Sequence, residues 1–475
     1  MDLTEFLWES IAMKMRITVL LSIIFAMGLM SDIAVGAAPK AGATCSKNGL
    51  VSVSNGVKYT CVKSGSKLLW NKGVKVSPVS STTPTATATP APTTSATTEP
   101  KPASTPTPKA FKAPIPISLP VAQNGAITFA NIMDHISEIP ALAYQNVQNA
   151  IAANAPVTVP TTVYVGPTTV PDQAGGIARI QEILNREAQL WSGFSQPTYY
   201  RMYVYNADDV KSTIDRFTSD FKSAGYSLKD PEFLNGPLRA LEGNCQQGVI
   251  PGQFTGAVTS CGGANSGSYY NSDDSFLQLG ASESGAKDFY RRDGGVVGHE
   301  YLHAVQTSQF IGVPNCTAPG GVGGSCNHSG MANQGFSPCW IFEGMPNSIG
   351  PMVSSRSLAD YQTYHKQLPF NQGPTTVTDF SQASLQNYLF NQSAPSCYRD
   401  MPTYRQGYAI GALATEVLVA IAGPQSTMAL FALGAEGQEF PKAFQSVYGM
   451  SWTDASLILS KVLAAEYATY GPPPK

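Results

Sequence analysis

Five histidines are spread through 475 residues, and two of them fall in Gly298-His299-Glu300-Tyr301-Leu302-His303-Ala304-Val305-Gln306. On a helix, His299 and His303 stand one turn apart on the same face, near enough for two imidazoles to bind one divalent ion such as zinc. Glu300 then lies beside that ion, placed to take a proton from a water whose pKa zinc lowers toward about 7. H-E-x-x-H carries this meaning only in a helix. The surrounding residues predict one: Val297, Tyr301 and Val305 recur at i, i+4 spacing, and Asp293-Gly294-Gly295 supplies a start.

A catalytic zinc takes three protein ligands and keeps a fourth position open. The metzincin pattern would require Gly at Gln306 and His at Gln309, and it fails at both. Glu343, in Trp340-Ile341-Phe342-Glu343-Gly344, is the leading third ligand, because a carboxylate inside an apolar helical run needs a partner and a metal supplies one. His328, in a Gly/Asn/Ser-rich loop, His365 and Asp360 are the rivals.

H-E-Y-L-H followed by W-x-x-E-G resembles the gluzincin metallopeptidases, the group containing thermolysin and the zinc aminopeptidases. Tyr404-Arg405-Gln406-Gly407, a helix and then Ala422-Gly423-Pro424 are similar to the Y-x-x-G-helix-G-P stretch of the aminopeptidase branch. The resemblance covers roughly Gly294–Leu430. It implies a thermolysin-like, two-lobed α+β domain, a mixed-sheet lobe followed by a helical lobe. It further implies His299, His303 and Glu343 as ligands of one Zn2+, Glu300 as general base, and Tyr404 as donor to the oxyanion, with Tyr408 one turn along as the alternative. An edge strand that aligns substrate backbone is also implied, and Ser275–Gly280 is the matching segment.

Three departures qualify the match. Between His303 and Glu343 lie 39 residues, longer than the family's usual gap and carrying Cys316, Cys326 and Cys339. The G-x-M-E-N motif that holds a free amino terminus is absent, and the only carboxylates in Gly262–Ser275 are Asp273 and Asp274. Endopeptidase action is therefore expected over exopeptidase action. Asn347 stands where thermolysin-like sequences carry an Asp that orients a zinc-bound histidine, and an amide can still accept that hydrogen bond.

The elements that position these residues follow from periodicity. Gly176–Trp191 and Ala207–Phe221 read as helices, Thr198–Tyr205 and Ser275–Gly280 as strands. Helical patterning returns over Pro338–Gly350, from Gln406 through Ile421 and near Trp452–Tyr467. Strands lie mainly in the earlier portion and helices in the later one, an α+β layout.

Upstream, the chain is built for export. Lys14 and Arg16 precede an apolar run from Ile17 to Met30, and small residues Val35 to Ala38 follow. That order is a secretory signal over residues 1–37, and the run is too short for a stable transmembrane span. A secreted or surface-associated protein is expected. Residues 38–76 form a small module that needs a staple, for which Cys45–Cys61 is the candidate. The module resembles short Cys-containing, Lys-rich repeats of exported actinobacterial proteins, which implies cell-wall contact.

Residues 77–118 read as a disordered linker: of the 34 residues from Ser77 to Ala110, 11 are Thr and 8 are Pro, too little apolar surface to offset chain entropy. Residues 119–475 are then the metallopeptidase domain, whose partner would be a peptide or protein substrate. With 13% charged residues and a net charge of −2, no excess positive charge is left to coat phosphates, which argues against nucleic acid as a partner.

Eight cysteines without a C-x-x-C point to disulfides in an exported chain. Locality suggests Cys45–Cys61, Cys245–Cys261, Cys316–Cys326 and Cys339–Cys397. Two other functions stay open: a non-catalytic surface or wall-binding protein that retains the fold, and a zinc hydrolase acting on wall peptide cross-links.

Overall fold

The computed structural model describes residues 41–44, 51–54, 57–65, 67–72, 74–75, 115–123, 125–224, 237–245, 261–268, 274–311, 313, 336–370, 379–391 and 401–470. The chain divides into two compact units, residues 1–101 and 102–475. In the first, strand β2 (Val57–Ser64) pairs antiparallel with β1 (Val51–Ser54), β3 (Lys67–Trp70) and β4 (Val74–Lys75), with Cys61 opposite Trp70. Cys61 is fully buried and disulfide-bonded, a covalent tie in a sheet too small for a core of its own. The signal segment, most of the linker, Cys45, Cys316, Cys326, His328 and Cys397 lie outside the described residues.

The larger unit is mixed α+β. Its sheet runs in the order β5 (Thr161–Val165), β6 (Tyr199–Tyr205), β8 (Asp274–Gly280), β7 (Ala264–Ser268). β5, β6 and β8 are parallel, and β7 returns antiparallel to β8. Parallel neighbours cannot be joined by a tight turn, so helices separate them in sequence. Strands and helices therefore alternate in this half instead of the strands being grouped.

Helices α1 (Ile139–Ala152), α2 (Gly176–Leu190), α3 (Val210–Ser223) and α4 (Pro237–Gly243) flank the sheet strands in sequence. Alternation along β6 divides its side chains. Tyr200, Met202 and Val204 enter the main core, whereas Tyr203 and Tyr205 join Phe217 and Phe221 of α3 on the other face. The Cys245–Cys261 disulfide lies in that second cluster, the pairing that locality suggests.

Ser275–Gly280 is a strand, but not the edge. β8 is flanked by β6 and β7, and among the described strands Ala264–Ser268 is the edge on that side. Its sequence, Ala-Asn-Ser-Gly-Ser, has neither branched nor aromatic residues, so nothing in its composition marks it as a strand.

The helical region continues with α5 (Phe289–Arg292), α6 (Gly295–Ser308), α7 (Cys339–Ser354), α8 (Leu358–His365) and α9 (Gln382–Asn391). It ends with α10 (Met401–Ala422), α11 (Pro424–Ala435), α12 (Phe440–Tyr448) and α13 (Trp452–Tyr470). All 16 residues of α7 are buried, which makes it the central helix, packed between α6 and α10. Among the described residues no single helix is long and apolar enough to cross a membrane. Gln406–Ala422 and Pro424–Ala435 pass that test together but bend by 107° at their junction.

Three of these helices are tied by buried charge. His365 of α8 places Nδ1 2.9 Å from Glu416 Oε2 of α10 and Nε2 3.7 Å from Glu466 Oε2 of α13. The Nε2 contact is longer than a hydrogen bond, and the charge of Glu416 is the largest influence favouring the protonated ring. Tyr361 donates to the other Glu416 oxygen at 2.6 Å. Burial alone would lower the pKa of His365, but Glu416 and Glu466 outweigh it and raise it to about 10. A histidine free in the unfolded chain titrates at about 6.5. The folded-state pKa is the higher one, so the contribution to stability is complete below the unfolded value and is lost as pH rises through about 10. Thermal melts of wild type and His365→Gln are expected to differ most at pH 6 and to converge by pH 10.5; an equal gap at both would contradict the assignment.

Candidate metal centre

The site begins with how α6 starts. Gly294 holds φ +92°, a left-handed conformation that favours glycine, and the chain turns there into the helix carrying the two histidines. Of the 14 residues of α6, 13 are buried and His303 is the exception. His303 is the one residue of α6 that keeps partial exposure.

His299, His303 and Glu343 converge. The two Nε2 atoms are 3.0 Å apart, and Glu343 Oε2 lies 3.2 Å from His303 Nε2 and 3.5 Å from His299 Nε2. Tetrahedral bonds of about 2.0–2.1 Å put neighbouring ligand atoms about 3.3–3.4 Å apart, so this triangle has the dimensions of three corners around one cation. Two nitrogens and a carboxylate oxygen also make the donor set of a catalytic site with a fourth position free.

The charges agree with this convergence. Burial by itself would raise the pKa of Glu343, yet His303 and His299 hold it well below the usual carboxylate range. Burial would lower that of His303, and the Glu343 carboxylate overcomes it and raises it. Glu300 is buried, follows His299 on α6, and is within electrostatic reach of His303, Tyr200 and Tyr290.

Glycines let the helices approach until backbones touch. A Cβ on Gly350 of α7 would stand 2.6 Å from the His299 backbone nitrogen, and one on Gly298 would stand 2.8 Å from the Gly350 Cα. At the other face of α7, a Cβ on Gly411 of α10 would stand 3.0 Å from the Gly344 Cα and would collide with the Trp340 carbonyl. Gly298 precedes His299, Gly344 follows Glu343, and Gly411 lies three residues past Tyr408. The crossings are thus adjacent to the residues they align.

Aromatic rings wall the histidines. Phe342 stacks on His303 with centroids 4.5 Å apart, and Tyr408 stacks on His299 at 6.0 Å and 5° between planes. Tyr290 meets His299 edge-on at 6.5 Å and stacks on Tyr364. Of the two tyrosines named from sequence, Tyr408 is thus at the site. Tyr404 is on the first turn of α10, and its side chain lies outside the described residues.

Asn347 does not act as the motif suggests. Its amide nitrogen donates to the Tyr408 carbonyl at 2.9 Å, and His299 Nδ1 has no hydrogen-bond partner among the described residues. The reason is that α10 packs directly against α7 and presents a backbone acceptor there. Asn347 thereby holds the backbone of the tyrosine that covers His299.

Two rivals for the third ligand are placed elsewhere. His365 belongs to the Glu416–Glu466 cluster, and Asp360 is half-buried and accepts from Ser357 at the start of α8. Gln306, noticed in the sequence only as a departure from the metzincin pattern, contacts His303 Nδ1 at 2.9 Å. Its position three residues after a ligand on the same helix was the available signal. Cys339 is disulfide-bonded, and its expected partner Cys397 lies outside the described residues.

Comparison with protein-family models, with curated proteins and with solved structures finds no match to this chain.

Gly350→Ala is expected to lower stability by about 1–3 kcal/mol, because a methyl group has to push the α6 and α7 backbones apart. It should also weaken Co2+ uptake, whereas Gly243→Ala, which meets nothing within 4 Å, should do neither. Calorimetry and cobalt absorption spectra check both; a Gly350→Ala protein with wild-type melting and cobalt binding would remove the argument from close approach.

Proposed function

We propose that this chain is an exported zinc-dependent peptidase of the gluzincin kind, cutting peptide bonds within a chain more than at its ends. The observation that carries the reading is the triangle of His299 Nε2, His303 Nε2 and Glu343 Oε2, three ligand atoms brought from two helices with Glu300 beside them. When bound there, a zinc ion supplies Lewis acidity, polarising a carbonyl oxygen and lowering the pKa of water toward about 7.

The protein's own groups account for the remaining steps. Glu300 takes the proton of the attacking water and returns it to the leaving amine. The oxyanion that develops on the carbonyl needs a hydrogen-bond donor, and Tyr408 or Tyr404, one turn apart on α10, are the candidates. An extended peptide would pair with the edge strand β7, which packs beside α6. The thermolysin-like, two-lobed arrangement belongs to this proposal, with the sheet and the α7–α13 helices as its lobes.

Export and surface attachment belong to it as well. From residue 33 to residue 98 the chain has seven lysines and no Asp or Glu, a charge balance suited to an anionic cell wall. Cross-link peptides of that wall are then one substrate class within reach. The intact Glu300 favours this reading over the non-catalytic alternative, because a degenerate site tends to lose its general base.

Glu300→Gln is expected to retain metal and to lose roughly 10²–10⁴-fold in hydrolysis of a peptide library. Chelation should abolish wild-type hydrolysis, and added Zn2+ should restore it. Peptides blocked at both ends should still be cut. Full activity in Glu300→Gln with metal bound would rule out the mechanism, and absence of any hydrolysis by metal-loaded wild type would favour the non-catalytic reading.

A further inference from the structure

Helix α7 contains two internal prolines, Pro346 and Pro351. A proline has no N–H, so each deprives the carbonyl four residues earlier of its helical hydrogen bond. Those carbonyls belong to Phe342 and Asn347. Both are buried, and each is met by a side chain from another helix: Gln306 Nε2 donates to the Phe342 oxygen at 3.2 Å, and the Tyr364 hydroxyl donates to the Asn347 oxygen at 2.9 Å.

The Gln306 contact fixes more than itself. A backbone carbonyl can only accept, so the NH2 end of the Gln306 amide must face Phe342. The amide oxygen is then the atom turned to His303, 2.9 Å from Nδ1. An amide oxygen can only accept, so Nδ1 must carry a hydrogen, whether the imidazole is neutral or protonated. In the neutral ring Nε2 is left with its lone pair, and Nε2 is the atom that points at His299 and Glu343. Gln306 is fully buried, so no water competes for either end. His299 has no such partner at Nδ1 among the described residues.

We propose that Gln306 is a positioning residue that holds His303 in its Nδ1-protonated, Nε2-ligating form, and that the carbonyl freed by Pro346 sets the direction of the Gln306 amide. Glu343 and His303 are joined through this link, because Phe342 precedes Glu343 in the chain. They form the prepared half of the site, and the ring of Tyr408 stacks on His299, whose Nδ1 has no hydrogen-bond partner among the described residues. The inference rests on the metal reading of the site and is independent of the peptidase reading.

The test uses the full chain. Co2+ affinity, measured by competition with a chelator, should fall about 10–100-fold in Gln306→Leu. Gln306→Glu, measured at a pH where its buried carboxyl stays protonated, keeps both a donor to the Phe342 carbonyl and an acceptor at His303 and should recover part of that loss, while thermal melts of the metal-free proteins report any purely structural effect. In wild type loaded with 113Cd, nitrogen–cadmium coupling should run through Nε2 of His303, with a slowly exchanging hydrogen on Nδ1. Equal Co2+ affinity in wild type and Gln306→Leu, or coupling through Nδ1, overturns the assignment. If Gln306→Leu does not fold, the cadmium spectrum decides alone. Wild type that binds neither ion overturns the metal reading itself, a result distinct from equal binding by both proteins.

Discussion

Two backbone-to-backbone crossings govern the larger unit. Helix α7 touches α6 at Gly350 and Gly298, and touches α10 at Gly344 and Gly411, with no side chain between them. Helix axes with larger residues at the contact lie farther apart, typically about 8–10 Å. Here the absence of Cβ atoms brings His299 and Glu343 near enough for one ion to reach both, and brings Tyr408 onto His299.

Close packing of this kind has an electrostatic cost. A buried carboxylate and two imidazoles with converging lone pairs are costly to assemble unless a proton or a cation is shared among them. The directions of the pKa shifts at Glu343 and His303 describe how a proton serves in that role. The His365 cluster meets a similar problem with a histidine set between two carboxylates that favour its protonated form. The difference lies in geometry: at His365 the two ring nitrogens face separate carboxylates, whereas at the candidate metal centre three ligand atoms face one point.

Proline adds a second layer of constraint. Pro346 and Pro351 lie in a helix with no exposed residue, where a carbonyl without a donor would be costly. Gln306 and Tyr364 supply those donors, and each also serves the site: Gln306 meets His303, and Tyr364 stacks on Tyr290, which meets His299 edge-on. A backbone deficit in one helix is thereby converted into orientation of rings on its neighbours.

The local features of this arrangement were legible in the sequence. His299, Glu300 and His303 share one helical turn, so their relation follows from helix geometry alone. Glu343 stands out because a carboxylate in an apolar run requires a partner, and residue patterning marks the helices α2, α3, α6, α7 and α10 and the strands β6 and β8. Tertiary structure decided the rest. Ala264–Ser268 became an edge strand through pairing with β8, although its own composition carries no strand signal. Asn347 turned to Tyr408 instead of a histidine because α10 offered a carbonyl there, and Gln306 gained its place from a carbonyl freed 36 residues away. Residue type and spacing determine which groups can act within one element; which groups meet across elements depends on where backbones are able to touch, and that is a property of the packed chain.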